Sequence, residues 1–221
     1  MPQNNFSRRK FLGFAGAASG LVVIGASCNK DEQVTSNGTL DSVDLGSGDV
    51  GILNYAYALE QLEAAFYTQV IMSQFSGISS TEVTLLTDIR DHEIAHREFF
   101  KTALADKAIV NLEVDFSSID FSSRDSVLST AKAFEDLGVS AYNGAGRLIE
   151  TADYLTLAGK IVSVEARHAA LIRDLIMMGS FADDTVIDAN GLDVARKPID
   201  VLAIAKPYIK TTLSADNLPT Y

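Results

Sequence analysis

Two short patterns in the sequence have the residue types and spacing to bind metal: Glu93-Ile94-Ala95-His96 and Glu165-Ala166-Arg167-His168 both read Glu-x-x-His. On a helix, positions i and i+3 share a face, so a carboxylate and an imidazole at this spacing can close on one ion. Each copy follows a Glu with a Tyr seven residues on, Glu60 with Tyr67 and Glu135 with Tyr142. The glutamates are 33 residues apart in the first copy and 30 in the second. One such unit gives half a site, and two related by a pseudo-twofold give a dinuclear one. These residues, with Glu63, fall on or beside apolar helical stripes on which no Lys or Arg is read. A buried ionised carboxylate without a partner costs several kcal/mol, so metal cations would have to supply the compensating charge. Carboxylate and imidazole donors suit iron or manganese, and zinc can also use them.

The elements that must position these groups are read from periodicity. From Gly51 to Phe75, Ile52, Ala56, Leu59, Phe66 and Val70 keep one helical stripe that stops at Ser76-Gly77. Ser79-Ser80-Thr81-Glu82 offers a capping box, and Val83, Leu86, Ile89, Phe99 and Leu104 carry a second helix to about Lys107. Between Ile109 and Ser123, Val110, Leu112, Val114 and Phe116 alternate with other residues, a strand-like or extended pattern. Ser123 or Asp125 can cap a third helix reaching about Ile149, and Thr151 or Asp153 a fourth ending near Met178, before Gly179. The tail, with Pro198, Pro207 and Pro219, has room for a short helix near Val201 to Ala205.

A helix of about 27 residues is about 40 Å long, and about fifteen extended residues cover roughly 50 Å. The segment between helices two and three can therefore return the chain along the whole bundle. The expected fold is an all-α four-helix bundle of two antiparallel hairpins joined by one long crossover between helices two and three, the ferritin-like wiring. Counted from the turn near Ile78, Glu60 lies 18 residues before and Glu93 lies 15 after, at about one depth. Glu63, 15 before, fits equally well; the repeat favours Glu60 because it matches Glu135.

The runs Leu59-Glu60-Gln61-Leu62-Glu63-Ala64-Ala65-Phe66-Tyr67, His92-Glu93-Ile94-Ala95-His96, Phe134-Glu135-Asp136-Leu137-Gly138-Val139 and Val164-Glu165-Ala166-Arg167-His168 resemble the ferritin-like domain of exported bacterial proteins and plant desiccation-related proteins. The resemblance spans about residues 50–180. It implies six metal ligands, Glu60, Glu93, His96, Glu135, Glu165 and His168, as in diiron carboxylate proteins, and leaves the reaction open. Glu63, Tyr67, Tyr142 and His92 are expected around that set, the tyrosine hydroxyls bonding ligand carboxylates. A competing pattern is His92-Glu93-Ile94-Ala95-His96, the His-Glu-x-x-His of zinc metallopeptidases. Its extended form needs Gly at 99 and His at 102, where this chain has Phe99 and Thr102. It also leaves Glu165 and His168 without a role.

Composition sets the remaining bounds. The chain has 221 residues, 47% hydrophobic and 21% charged, with a formal net charge of -11 and one cysteine. A nucleic-acid partner is not expected of so acidic a chain, and neither an internal disulfide nor a cysteine-rich metal site can be built. Ser7-Arg8-Arg9-Lys10-Phe11-Leu12, followed by the apolar stretch from Gly13 to Ser27, reads as a twin-arginine-type export signal. Cys28 follows as a candidate lipid-anchored residue, although Gly25 stands where a lipoprotein site prefers Leu. The expected organisation is a signal over 1–28, a flexible tether over 29–49, the bundle over 50–180 and a tail over 181–221 packing on it. The protein is thus expected in the periplasm or lipid-anchored to the envelope, touching membrane only through Cys28, with a homo-oligomer compatible with the sequence. The functional expectation is an oxidoreductase, of ferroxidase, peroxidase or catalase-like type, acting on dioxygen, peroxide or metal ions. The alternative is a non-catalytic stress or envelope protein with a structural or degenerate site.

Overall fold

The computed structural model describes residues 42–221. The expected export signal, Cys28 and the tether up to residue 41 lie outside the described residues. Four long helices make the body: α1 (Gly48–Met72), α2 (Ser80–Leu104), α3 (Arg124–Gly146) and α4 (Ala152–Ile176). α1 packs chiefly on α2 and α3 chiefly on α4, the two hairpins of the expected bundle. Leu62, Phe66, Val70, Leu86, Ile89, Leu128, Phe134 and Ile172 fill the space between them.

Local chemistry sets the helix ends. Ser79 accepts a hydrogen bond from the Glu82 amide, and the Glu82 carboxylate accepts one from the Ser79 amide at 2.9 Å, which completes the capping box. Arg124 Nε donates to Glu82 Oε1 at 2.7 Å and its Nη2 to the Leu175 carbonyl at 2.8 Å. One guanidinium thereby joins the starts of α2 and α3 to the end of α4. α1 stops at Met72, three residues earlier than its apolar stripe suggests, because Phe75 turns back into the core and Gly77 takes a φ of 78° in the connection.

The crossover is extended as expected, but only Val114 finds a strand-type bridge, with Ile209. Two amides on the outer face of α1 serve as its partners instead. Asn54 donates to Lys107 O at 2.9 Å and accepts from Ile109 N at 3.0 Å. Gln61 accepts from Leu112 N at 2.9 Å. These bonds satisfy backbone groups that would otherwise lie unpaired against an apolar helix.

The tail forms α5 (Pro198–Ala205) and a short strand, β2 (Leu213–Ser214), parallel to β1 (Val43–Asp44). Residues 42–49, read from composition as tether, therefore belong to the folded body. Leu45 is fully buried, and Asp49 accepts from the Glu150 and Thr151 amides at 2.8 and 2.9 Å. Across α3 the tail comes close enough to require glycine. Arg196 N donates to Ser140 O at 3.0 Å, and a β-carbon on Gly144 would lie 1.7 Å from Arg196 O. Crossover and tail together cover α1 and α3, whereas α2 and α4 keep polar outer faces. Among the described residues no helix is long and apolar enough to cross a membrane.

Gly144→Ala is expected to push the tail off α3. The cost should be about 1–3 kcal/mol, as for other overpacked sites, read by urea denaturation together with faster proteolysis between residues 181 and 197 and unchanged helicity.

Candidate metal centre

Glu60 on α1, Glu93 and His96 on α2, Glu135 on α3, and Glu165 and His168 on α4 meet at one depth inside the bundle. The four helices deliver them there because each pair of hairpin partners is nearly equidistant from its own turn. All four carboxylates named with the histidines' groups, Glu60, Glu93, Glu135 and Glu165, are 0% exposed, and His168 is 4% exposed. His96 Nδ1 lies 2.9 Å from Glu165 Oε1, 3.4 Å from Glu60 Oε2 and 3.6 Å from Glu93 Oε2. His168 Nδ1 lies 2.7 Å from Glu93 Oε1 and 3.5 Å from Glu135 Oε2.

Two groups follow, Glu60/Glu93/His96/Glu165 and Glu93/Glu135/Glu165/His168, each with donor atoms within 4.8 Å of one another. Glu93 and Glu165 belong to both. The close approaches lack hydrogen-bond alignment: Glu60 Oε2, both Glu93 oxygens, His96 Nδ1, Glu135 Oε2, both Glu165 oxygens and His168 Nδ1 are buried without a hydrogen-bond partner. Buried polar atoms are otherwise almost always bonded. So many orphans aimed at one small volume have the composition and geometry to hold metal ions.

The other oxygen of each α1 and α3 glutamate is occupied. Tyr67 OH donates to Glu135 Oε1 at 2.5 Å, and Tyr142 OH donates to Glu60 Oε1. Each tyrosine therefore serves the glutamate of the opposite hairpin, not the one seven residues before it. α1 and α3 run antiparallel, so two turns forward on one helix lie level with the glutamate of the other.

Glu63, 3% exposed, belongs to neither group. It lies against α3 at Gly138, where a β-carbon would sit 3.0 Å from Glu63 Oε1 and 3.5 Å from Glu165 Oε2. In the sequence the one signal at Gly138 is a glycine in a helix interior, one turn after Glu135. His92 also lies outside both groups, with Nδ1 3.0 Å from His168 Nε2. His92 and His96 thus turn to different partners, and Glu93 is sealed among carboxylates, which leaves no open zinc-peptidase site. One cation does occupy an inner stripe, contrary to expectation. Arg173 is 3% exposed, but Asp136 takes it at 2.8 and 2.7 Å and Asp183 at 3.1 Å, so it does not neutralise the glutamates.

Without an ion the cluster must hold protons. Burial raises Glu63 and Glu165 well above the usual carboxylate range, with neighbouring glutamates adding to it. Burial also raises Glu60 to about 7, partly opposed by His96. Glu93 is also pushed up by burial, but His168 and His96 together bring it down to about 2. His168 is lowered by burial, yet Glu135 and Glu93 outweigh this and lift it to about 10. His96 is raised likewise by Glu165, Glu60 and Glu93 against its burial. A metal ion would displace these protons, since its ligands bind through lone pairs.

A family model described as a ferritin-like domain matches residues 48–178, the span from the start of α1 to just past α4. No curated protein sequence matches the chain.

The shifts fix a pH dependence for the metal-free protein. Glu60 holds its proton more tightly folded than unfolded, so its stabilisation is full below about 4.5 and lost as pH rises through about 7. His168 acts in the same direction, its stabilisation lost between about 6.5 and about 10. Glu93 opposes only as pH falls from about 4.5 towards about 2. Calorimetry in chelator should therefore give a Tm several degrees lower at about pH 9 than at about pH 5, and saturating metal should raise Tm more at the higher pH.

Proposed function

We propose that this chain, which belongs to the ferritin-like domain family, holds two metal ions in the bundle core and uses them in redox chemistry on dioxygen, peroxide or ferrous ions. The observation that carries this is the set of eight buried, unpartnered donor atoms on six residues converging in two overlapping groups. Glu60 and His96 would help hold one ion and Glu135 and His168 the other, with Glu93 and Glu165 common to both groups. Two ions of iron or manganese, each cycling by one electron, would supply the redox chemistry.

The rest of the work falls to the chain. Tyr67 and Tyr142 each engage one oxygen of a terminal glutamate, which leaves the other aimed inward and fixes the carboxylate's rotation. Glu63 lies beside Glu165 without joining either group, and burial favours its protonated form, so it can keep a proton next to Glu165. Crossover and tail exclude bulk water from the α1 and α3 sides. Among the described residues, His96, its side chain 13% exposed, and the exposed neighbouring His92 lie between the site and the outer face of α2. The Ser7-Arg8-Arg9-Lys10-Phe11-Leu12 segment supports an exported protein that crosses the membrane already folded, and so could be loaded with metal beforehand.

Protein purified without added metal should contain two ions per chain by elemental analysis, located by anomalous scattering between the groups named. Glu135→Ala should abolish binding of one ion; unchanged stoichiometry would remove α3 from the site. Loaded protein should oxidise ferrous ions or consume hydrogen peroxide at rates at least tenfold above the free ions, and Glu60→Ala should lose this. Two bound ions with no turnover would instead make the centre structural or a metal store.

A further inference from the structure

The duplicated unit would make the two metal positions equivalent if the helices obeyed it throughout. They depart from it around the ligands at two places, at Glu63, matched on α3 by Gly138, and at His92; only the second touches a ligand histidine. Four residues before the histidine of α2 stands His92, and four residues before the histidine of α4 stands Val164. His92, on the exposed side of α2, reaches across to α4 and brings Nδ1 to 3.0 Å from His168 Nε2. The ring planes differ by 8° and the centroids are 5.2 Å apart. With nitrogens at 3.0 Å, that centroid distance requires rings meeting edge to edge in a common plane, not face to face. The contact therefore lies along the nitrogen lone pair, where a hydrogen bond is strongest.

Its direction follows from the site. An ion held by His168 takes the lone pair of Nδ1, the atom facing Glu93 and Glu135, so the ring proton sits on Nε2. Nε2–H then donates to His92 Nδ1, and the proton of His92 is left on its outer nitrogen. His168 is thus held in the tautomer and orientation that present Nδ1 inward. His96 has Val164, with no donor or acceptor, at the matching place. Its side chain is also the more exposed of the two, 13% against 5%.

The geometry points to His92 as a positioning residue that makes the two metal positions unequal, the one at His168 being the tighter. This rests on the two-ion reading above. It adds that His92 is the one departure from the repeat that hydrogen-bonds a ligand histidine, and that the ion at Glu135 and His168 enters first and leaves last. Groups that orient a metal-bound histidine typically change affinity by about 10–100-fold, enough to separate two binding steps.

The test is a titration of metal-free protein with manganous ion, counting free ion by electron paramagnetic resonance. Wild type should bind two ions in steps about 10–100-fold apart. His92→Ala should weaken the tighter step alone until the two merge, in a protein whose circular dichroism shows the metal-free bundle still folded, and His92→Gln, whose side-chain oxygen can accept from Nε2–H, should restore much of the separation. Equal steps in wild type, or an His92→Ala protein that keeps both steps or weakens both alike, would overturn the role of His92 while leaving the two-ion centre standing. A wild-type protein that binds no ion would overturn the metal centre itself, and the role of His92 with it.

Discussion

Five glutamates and two histidines share the interior of this bundle, and the charge they bring has to be compensated there. Water cannot do it, because Glu60, Glu93, Glu135 and Glu165 are completely enclosed. The buried Arg173 cannot do it either, because Asp136 and Asp183 already hold it. What remains is protons or metal ions. Protons neutralise some of the carboxylates but leave eight donor atoms without hydrogen bonds, a condition that interiors rarely tolerate. Cations would satisfy all of them at once, so occupancy of the site and stability of the fold are linked quantities.

The surrounding architecture serves that enclosure. α1 and α3 carry the glutamates whose second oxygens the tyrosines take, and these are the two helices that crossover and tail bury. Asn54 and Gln61 fasten the crossover to α1 through its backbone, so an irregular segment can lie on an apolar helix without orphaned amides. Two glycines on α3 work on different faces. Gly144 lets the tail backbone lie directly on the helix, while Gly138 leaves room inside for the carboxylates of Glu63 and Glu165. The sheath keeps the site dry, and a dry site makes each charge interaction within it stronger.

The pseudo-symmetry of the unit is real at the level of donor atoms and broken around them. Each half contributes a terminal glutamate, a shared glutamate and a histidine, and the tyrosines exchange partners between halves. Glu63 has no counterpart on α3, where the matching position is Gly138. His92 has none on α4. A duplicated scaffold that differs only in such supporting residues can bind similar ions at both positions while treating them differently.

How much of this could be read from the chain follows from the range of each interaction. Helices, caps and the Glu-x-x-His pairs are set by neighbours within a few residues, so their existence and approximate ends were legible in Ser79 and Glu82 or in the spacing of Glu93 and His96. The crossover was legible from length alone, since no shorter path returns the chain along a bundle. The repeat favoured Glu60 over Glu63, and the cluster includes Glu60 while leaving Glu63 beside it. Tertiary structure decided the rest. Composition made residues 42–49 look like tether, but a strand's partner at 213–214 can be 170 residues away and leaves no local trace. The tyrosines' crossed partners depend on the antiparallel register of α1 and α3, which no spacing within one helix encodes. The same holds for His92 on His168, for Gly138 under Glu63 and for Arg173 between its aspartates. Each is a contact between helices, fixed by how ridges settle against one another and not by the order of residues along either one.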